Sequence, residues 1–483
     1  MNKYKGLLTC LFVVLCSCAD LLDQKPVSSI TNESFWTSED DAMGVLTGTY
    51  IQLRNQSLDN LFILGEARSE VMTTAISGAM YERYYRNTLS AELPGPDWSG
   101  LYTAINTSNL LIKYVPQINA SETAKNNILA QAYTMRAFLY FILAKTWGGV
   151  PLRAEPTEGY NAETVQKTRD TEEEVFKFIK EDIDKALSLY NDNTFFGTKN
   201  RWSKPATNAL KADVYLWTAK RYGGGNADLT TALEACNEVQ KADIVLLESF
   251  ADLFEYENKC NAEVLMAVAL DVYESGGNYF AHNYSGIHGG TLDPINGEVI
   301  GTTINGMAWT VTELVKSQFS TDDTRKDPSF ADGLTEGEVV YPGLVRKGRG
   351  TVLNGVRYFT SDYVLYRYAD VVLMKAEAKN ALGQDPSEEM NMIRKRAYGE
   401  AFEKHRFTNE TKEANDDAIL KERLLELVFE GKRWWDLVRF GKAFDIVPSL
   451  MDKKGQDYML LWPVSVSTLT REPQVGQTPG WDD

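Results

Sequence analysis

Between residues 126 and 147 the apolar side chains recur at three- and four-residue spacing: Leu129, Ala132, Met135, Phe138, Phe141 and Ile142. That is the period of an α-helix with one buried stripe, and Gly148-Gly149 closes it. The same text appears elsewhere. Ser38 followed by Glu39-Asp40-Asp41 predicts a capped helix carrying Met43, Leu46 and Tyr50 inward. Residues 97–114 place Leu101, Ile105, Leu110, Leu111 and Tyr114 on one stripe, and Pro116 stops it. Thr171 caps Glu172-Glu173-Glu174, and Val175, Phe178, Ile179, Ile183, Ala186, Leu187 and Tyr190 continue the face. Pro205 opens a further helix that runs through Ala209, Ala212, Leu216 and Ala219 to Gly223. Helices are also predicted over 363–382, closed by Gly383, and over 416–442.

These segments read as long antiparallel helix pairs with alanines where helices cross. The alanine-rich second helices resemble tetratricopeptide units, in which small side chains let neighbours approach closely. No fixed 34-residue period is present. From about 263 to 363 the helical text gives way to Gly, Thr, Asn and Tyr, with short apolar runs such as 264–270 that suit strands. The expected fold is therefore mainly α, a tetratricopeptide-like α-α superhelix with a large irregular loop-rich insertion containing a few short strands. Residues 36–260 form the N-terminal scaffold, 261–362 the insertion, and 363–483 a C-terminal helical part packed on the scaffold. Loops inserted on a rigid frame are where binding usually lives.

The first eighteen residues bear on location. Lys3 and Lys5 precede the apolar run 6–15, which is too short for a permanent membrane span. The run ends Leu15-Cys16-Ser17-Cys18, which resembles a bacterial lipoprotein cleavage box with Cys18 as the new first residue. The reading is a signal peptide over 1–17 and a lipidated tether over 18–35. A thiol at Cys18 receives the diacylglycerol, and each buried CH₂ adds roughly 0.8 kcal/mol of membrane affinity. The competing reading is an ordinary signal peptide, since Cys10 and Cys16 also fall in this stretch. The formal charge of -17 argues against nucleic acid and against polybasic attachment to anionic lipid. Beyond the leader only Cys236 and Cys260 remain beside Cys18. An oxidising compartment permits them to pair, and free buried thiols fit equally well.

Three patterns invite chemistry. Glu422, Glu426 and Glu430 recur at four-residue intervals among Arg423, Lys432, Arg433 and Arg439. Paired carboxylates can hydrolyse glycosides, but acids and bases at this spacing more often form an ion network that fixes helix packing. The network reading is the one adopted. Arg136 and Arg367 sit in packed helical text and are expected to pair with neighbouring carboxylates rather than bind an anion. His282 and His288, with Asp293 nearby, lack a zinc spacing, and no metal or other cofactor is expected. Gly223-Gly224-Gly225 follows a helix and reads as a stop, not a phosphate cradle.

The sharpest candidates are aromatics in irregular segments. Tyr81, Tyr84 and Tyr85 share a window with Arg83 and Arg86; Tyr273, Tyr279, Phe280, Tyr284 and Trp309 lie in or near the insertion, with His282 among them. A sugar ring offers an apolar face of C–H groups and a rim of hydroxyls. A flat aromatic covers the face, and Arg, Asn, Asp or His takes the rim. Rigid aromatics lose little rotamer entropy on binding. The competing role is pinning long loops to the scaffold. The expected ligand set is Tyr81, Arg83, Tyr84, Tyr85, Tyr273, Tyr279, Phe280, His282, Tyr284 and Trp309, with at least two facing a ligand.

Five separated segments carry a family resemblance. They are 130–141 (AQAYTMRAFLYF) with 147–152 (WGGVPL), 204–212 (KPATNALKA), 367–378 (RYADVVLMKAEA), 422–439 (ERLLELVFEGKRWWDLVR), and the closing 462–464 (WPV) with 477–481 (QTPGW). In this order, behind the cleavage box, they resemble the SusD/RagB family of outer-membrane lipoproteins. Asp20 and Asp23 are similar to acidic positions that direct such lipoproteins to the cell surface. The resemblance implies a non-enzymatic glycan-binding protein on the outer membrane that delivers oligo- or polysaccharide to a SusC-like TonB-dependent transporter. Peptide capture is the alternative it leaves open, with Arg83 and Arg86 meeting carboxylates. A glycosidase is the remote one.

Overall fold

The computed structural model describes residues 35–75, 81–159, 165–274, 277–283, 308–331, 334–336, 339–341 and 343–482. Ten helices of seven residues or more organise those residues. They are α1 (Glu39–Ser57), α2 (Ser99–Tyr114), α3 (Glu122–Trp147), α4 (Glu172–Leu189), α5 (Lys204–Arg221), α6 (Gly225–Val239), α7 (Tyr368–Ala381), α8 (Ser387–Tyr398), α9 (Lys412–Leu427) and α10 (Arg433–Arg439). Along the chain α1 packs on α2, α2 on α3, α3 on α4 and α5 on α6; α6 then meets α7, which also contacts α8 and α9. Each helix buries its stripe chiefly against its neighbours, as in stacked helical repeats. The expected alanines serve this contact: Ala132, Ala209 and Ala212 are fully buried.

The caps act as their residue types dictate. Ser38 and Asp41 exchange hydrogen bonds in a capping box at the start of α1, and Thr171 does the same with Glu174 at α4. Ser203 caps α5, and Pro205 occupies its first turn. Gly148 ends α3 at φ 75°, a conformation open to glycine at no steric cost.

Several boundaries differ from the sequence reading. The third helix begins one turn earlier than 126, because Ser121 caps it. The second begins at Ser99; the Asp97 carboxylate accepts the Ser99 N–H just before it. Helix α6 starts at Gly225, directly after the glycine stop, and α8 was not anticipated. Tyr363–Arg367 is a strand rather than the first turn of a helix. The helix expected over 416–442 is two helices. Phe429 and Gly431 take positive φ (67° and 71°) and separate α9 from α10.

The strands are short and pair antiparallel in twos: β1 (Met72–Thr74) with β3 (Trp309–Val311), β2 (Val264–Val268) with β10 (Tyr363–Arg367), β4 (Phe330–Ala331) with β7 (Leu344–Val345), β5 (Leu334–Glu336) with β6 (Val339–Tyr341), and β8 (Thr351–Leu353) with β9 (Val356–Tyr358). The apolar run predicted as a strand is β2, buried along its whole length. Trp202, Trp217, Trp434 and Trp462 are buried in the main core, which joins the helices to these strands. The termini of the insertion are thereby tied to the scaffold: β2 and β10 lie side by side where the insertion leaves and returns.

Candidate functional site

The acidic stretch of α9 faces inward. Arg367, 1% exposed, donates through Nε to Glu430 (2.8 Å) and through Nη1 to Glu263 (2.8 Å) and Glu426 (2.5 Å). Arg325 reaches Glu422 at 2.7 Å and Asp323 at 2.8 Å. Arg396 binds Glu263 and Glu426, and Lys347 donates to Glu430 at 2.8 Å. Burial alone would raise the Glu426 carboxyl, but Arg396, Arg367 and Arg325 overcome it and hold it well below the usual carboxylate range. A carboxylate so held is a poor proton donor, and its oxygens are already occupied. The network ties α8, α9, β2 and β10 together, which is the role expected of it. Arg367 stands at the end of β10 and not inside a helix, because the strand continues to it. Arg136 pairs with Asp182 at 2.8 and 2.7 Å, joining α3 to α4 as expected.

The aromatic candidates divide by exposure. Tyr84 (4% exposed), Tyr279 (2%), Phe280 (5%) and Trp309 (3%) are core residues, which corrects the expectation that they form open platforms. The Tyr279 ring stacks on Phe62 at a centroid distance of 3.4 Å, and its hydroxyl donates to the Phe429 carbonyl in the break between α9 and α10. Trp309 meets Phe62 at 5.5 Å, Tyr81 at 4.8 Å and Tyr84 at 6.4 Å. These rings pin the insertion to the scaffold because burying a whole aromatic face outweighs what a solvated platform would keep. Phe62 is the member that sequence reasoning missed. It sits in the apolar run 61–64, and nothing local distinguishes it from ordinary core.

The outer layer is what remains open. Tyr81 is half-buried, with its inner side against Trp309 and Tyr84. The Arg83 guanidinium lies 4.7 Å over the Tyr84 ring and donates to the Tyr84 hydroxyl at 2.9 Å, so its plane is fixed. Tyr85, half-buried, follows on the same short helix, Glu82–Tyr85. Tyr273 is 89% exposed. Its neighbour Glu274 pairs with Arg54 near the end of α1 at 3.0 Å. Burial raises the Tyr81 hydroxyl, and the charge of Asp59, just beyond that helix, adds to it. His282 falls in the turn Tyr279–Asn283, with its side chain outside the described residues; Tyr284, His288, Asp293 and Cys18 lie outside them altogether. Among the described residues no group of three His, Cys, Asp or Glu is placed to hold a metal ion. Cys236 and Cys260 are free thiols; Cys236 is buried in α6, and the Cys260 thiol donates to Asn200 at 3.0 Å.

Two family models match in tandem: the SusD family model over residues 197–481, and one described as starch-binding associating with outer membrane over residues 20–216. The chain belongs to the SusD family. Among solved structures, B. fragilis NanU is 33% identical and superposes with a TM-score of 0.81, covering 95% of this chain and 100% of that one. A SusD-like protein of Formosa agariphila is 27% identical over 99% of both chains. A laminarin-binding SusD-like protein, 23% identical, shares the fold at a TM-score of 0.76 over 92% of this chain and 100% of its own. The helical frame and the tethered insertion are therefore those of the SusD family, whose members are binding proteins.

Proposed function

We propose that this SusD-family protein is a cell-surface lipoprotein, anchored through Cys18, that captures oligo- or polysaccharide and hands it to a SusC-like TonB-dependent transporter. The observation that carries the reading is Tyr81. Its ring is backed by buried Trp309 and Tyr84, so it is held in place, and the residue is half-buried rather than buried. A pre-ordered ring can cover the C–H face of a sugar at small entropic cost. Arg83, two residues along, offers guanidinium donors, and the exposed Tyr273 offers a further ring at the surface. The starch-binding description of one matching family model points to the same ligand class.

The test uses polysaccharide panels in affinity electrophoresis and calorimetry. Tyr81→Ala and Tyr273→Ala are the informative variants, since both residues reach the surface. Tyr81→Ala is expected to weaken binding by about tenfold, the scale of one aromatic contact (about 1.4 kcal/mol). Trp309→Ala is a poor probe, because emptying its buried site costs about 3–5 kcal/mol of fold stability. Undiminished binding in both tyrosine variants would remove this face from consideration. Peptides co-purifying with the protein in place of glycan would replace the ligand class, and release of reducing sugar from a bound glycan would make the protein an enzyme.

A further inference from the structure

We propose that a cleft along the first half of α2, closed by Arg153 and Glu472, is a second binding site, for a neutral sugar unit carrying adjacent hydroxyls. Its volume is about 340 Å³, at the small end of ligand clefts, with room for about one or two sugar rings. It shares no lining residue with the surface around Tyr81. Trp98, Tyr102 and Asn106 follow one another at four-residue spacing from the start of α2, so one side of the helix brings them to the cleft together. Arg153 comes from the segment after α3 and Glu472 from near the end of the chain.

These side chains are held before any ligand arrives. The Tyr102 hydroxyl donates to the Pro151 carbonyl at 2.8 Å, and the buried Trp98 meets the Tyr102 ring edge-on at 5.8 Å. The Arg153 N–H donates to the Tyr140 hydroxyl (2.6 Å), and its carbonyl accepts from Asn109 (2.8 Å). Its guanidinium carbon lies 5.7 Å from the centre of the Tyr102 ring, and Nη2 donates to Glu472 Oε2 at 2.8 Å. The Asn106 Oδ1 accepts the Thr157 N–H at 2.6 Å. What these bonds leave over is a recognition set. Among the described residues Arg153 Nε and Nη1, Glu472 Oε1 and Asn106 Nδ2 have no hydrogen-bond partner, and none of them is closed to solvent.

The leftover groups select the ligand. Among the described residues that line the cleft only Arg153 and Glu472 are charged, and they are paired with each other. An anionic ligand would be repelled by Glu472 and a cationic one by Arg153, so a neutral molecule fits best. Guanidinium donors beside a carboxylate acceptor match two adjacent hydroxyls: one accepts from Arg153 while its neighbour donates to Glu472. Hydrogen bonds to ionised groups are the stronger kind. The Asn106 amide offers a donor to a further oxygen. Tyr102 and Trp98 provide aromatic surface for the C–H face of the same ring. Since the partners are already fixed, little ordering entropy is lost on binding. The ligand class is that proposed for the Tyr81 surface, but the cleft stands on its own residues.

The probes are the methyl glycosides of glucose, galactose and mannose, with those of glucuronic acid and glucosamine as charged controls. They are titrated by calorimetry and saturation-transfer NMR into the full-length mature protein carrying Tyr81→Ala, so that the cleft is read apart from the Tyr81 surface. Saturable millimolar binding of at least one neutral glycoside is expected, with both charged controls at least about tenfold weaker. Arg153→Met keeps the aliphatic stem beside Tyr102 and should weaken that binding by at least about tenfold, with the thermal transition recorded alongside. Glu472→Gln keeps the shape and removes the negative charge; it should let the glucuronic acid glycoside bind as tightly as the neutral one. No saturable binding of any neutral glycoside overturns the proposal. So does binding of the charged controls equal to the neutral ones in the parent cleft, or undiminished binding in Arg153→Met together with unchanged selectivity in Glu472→Gln. If Tyr81→Ala leaves polysaccharide binding intact, the Tyr81 reading fails by itself, and the Arg153 and Glu472 variants still decide the cleft.

Discussion

Lys145 shows how far a single residue can depart from its usual setting. It lies on α3, 5% exposed, with its ammonium 4.0 Å from the centre of the Phe141 ring. Its nearest carboxylate, Asp213, is 3.9 Å away. Burial pushes the ammonium down to about 8, and Asp213 offsets only part of this. The folded value lies below the unfolded one of about 10.4, so between pH 8 and 10.4 the unfolded chain binds more protons. This group's contribution to stability therefore rises with pH across that window. Lys145→Met keeps the packing and removes the buried charge, while Asp213 retains the Tyr366 hydroxyl at 3.0 Å. The variant is expected to be as stable as the parent at pH 7 or up to about 1 kcal/mol more stable, and to lose part of the alkaline gain. Urea unfolding at pH 7 and pH 9.5 measures both. A loss of several kcal/mol at pH 7 would mean that the Lys145–Asp213 pair is worth more than its geometry indicates.

At the scale of elements, the break between α9 and α10 is the feature that local text concealed. Residues 422–439 carry a helical pattern throughout, yet Phe429 and Gly431 leave the helix and the buried Glu66 carboxylate takes the freed N–H groups of Phe429, Lys432 and Arg433 (2.9, 2.9 and 3.2 Å). A carboxyl side chain accepting from the first donors of α10, its own acidity weakened to about 7 by burial, is an N-terminal cap supplied from far away in sequence. The chain that delivers Glu66 passes close by. A Cβ placed on Gly65 would lie 1.8 Å from the Gly431 carbonyl oxygen. Gly65→Ala must therefore push two backbones apart and is expected to cost about 1–3 kcal/mol or more. Gly44 in α1 meets nothing within 4 Å. Gly44→Ala should be neutral or stabilising by up to about 1 kcal/mol, since alanine restricts the unfolded chain and favours helix. Denaturant midpoints for the pair test the contrast; equal midpoints would mean that the crossing at Gly65 is looser than its contacts imply.

At the scale of the whole molecule, none of the helices among the described residues is long and apolar enough to cross a membrane. The proposed hold on the outer membrane is attachment through Cys18. Cys18→Ser is expected to move the protein from the membrane fraction to the soluble fraction without changing its thermal transition, as fractionation and calorimetry would show. The arrangement of helices into a stack was legible in advance, because a 3.6-residue period and its caps are local properties: Ser38, Thr171 and Pro205 stand where their chemistry predicts. The pairing of Arg136 and Arg367 with acids was legible for the same kind of reason, since a buried guanidinium needs a carboxylate wherever it lies. Which face each aromatic presents was not. Tyr81 and Trp309 look alike in sequence, one near a glycine and one in a loop-rich insertion, yet Tyr81 is half-buried and Trp309 is buried. Exposure is decided by what packs above a side chain, and for Trp309 that is Phe62, Tyr81 and Tyr84, which reach it from more than two hundred residues away. Periodicity and capping belong to neighbours along the chain and are written in it; burial and partnership belong to neighbours in space, and only the folded molecule assigns them.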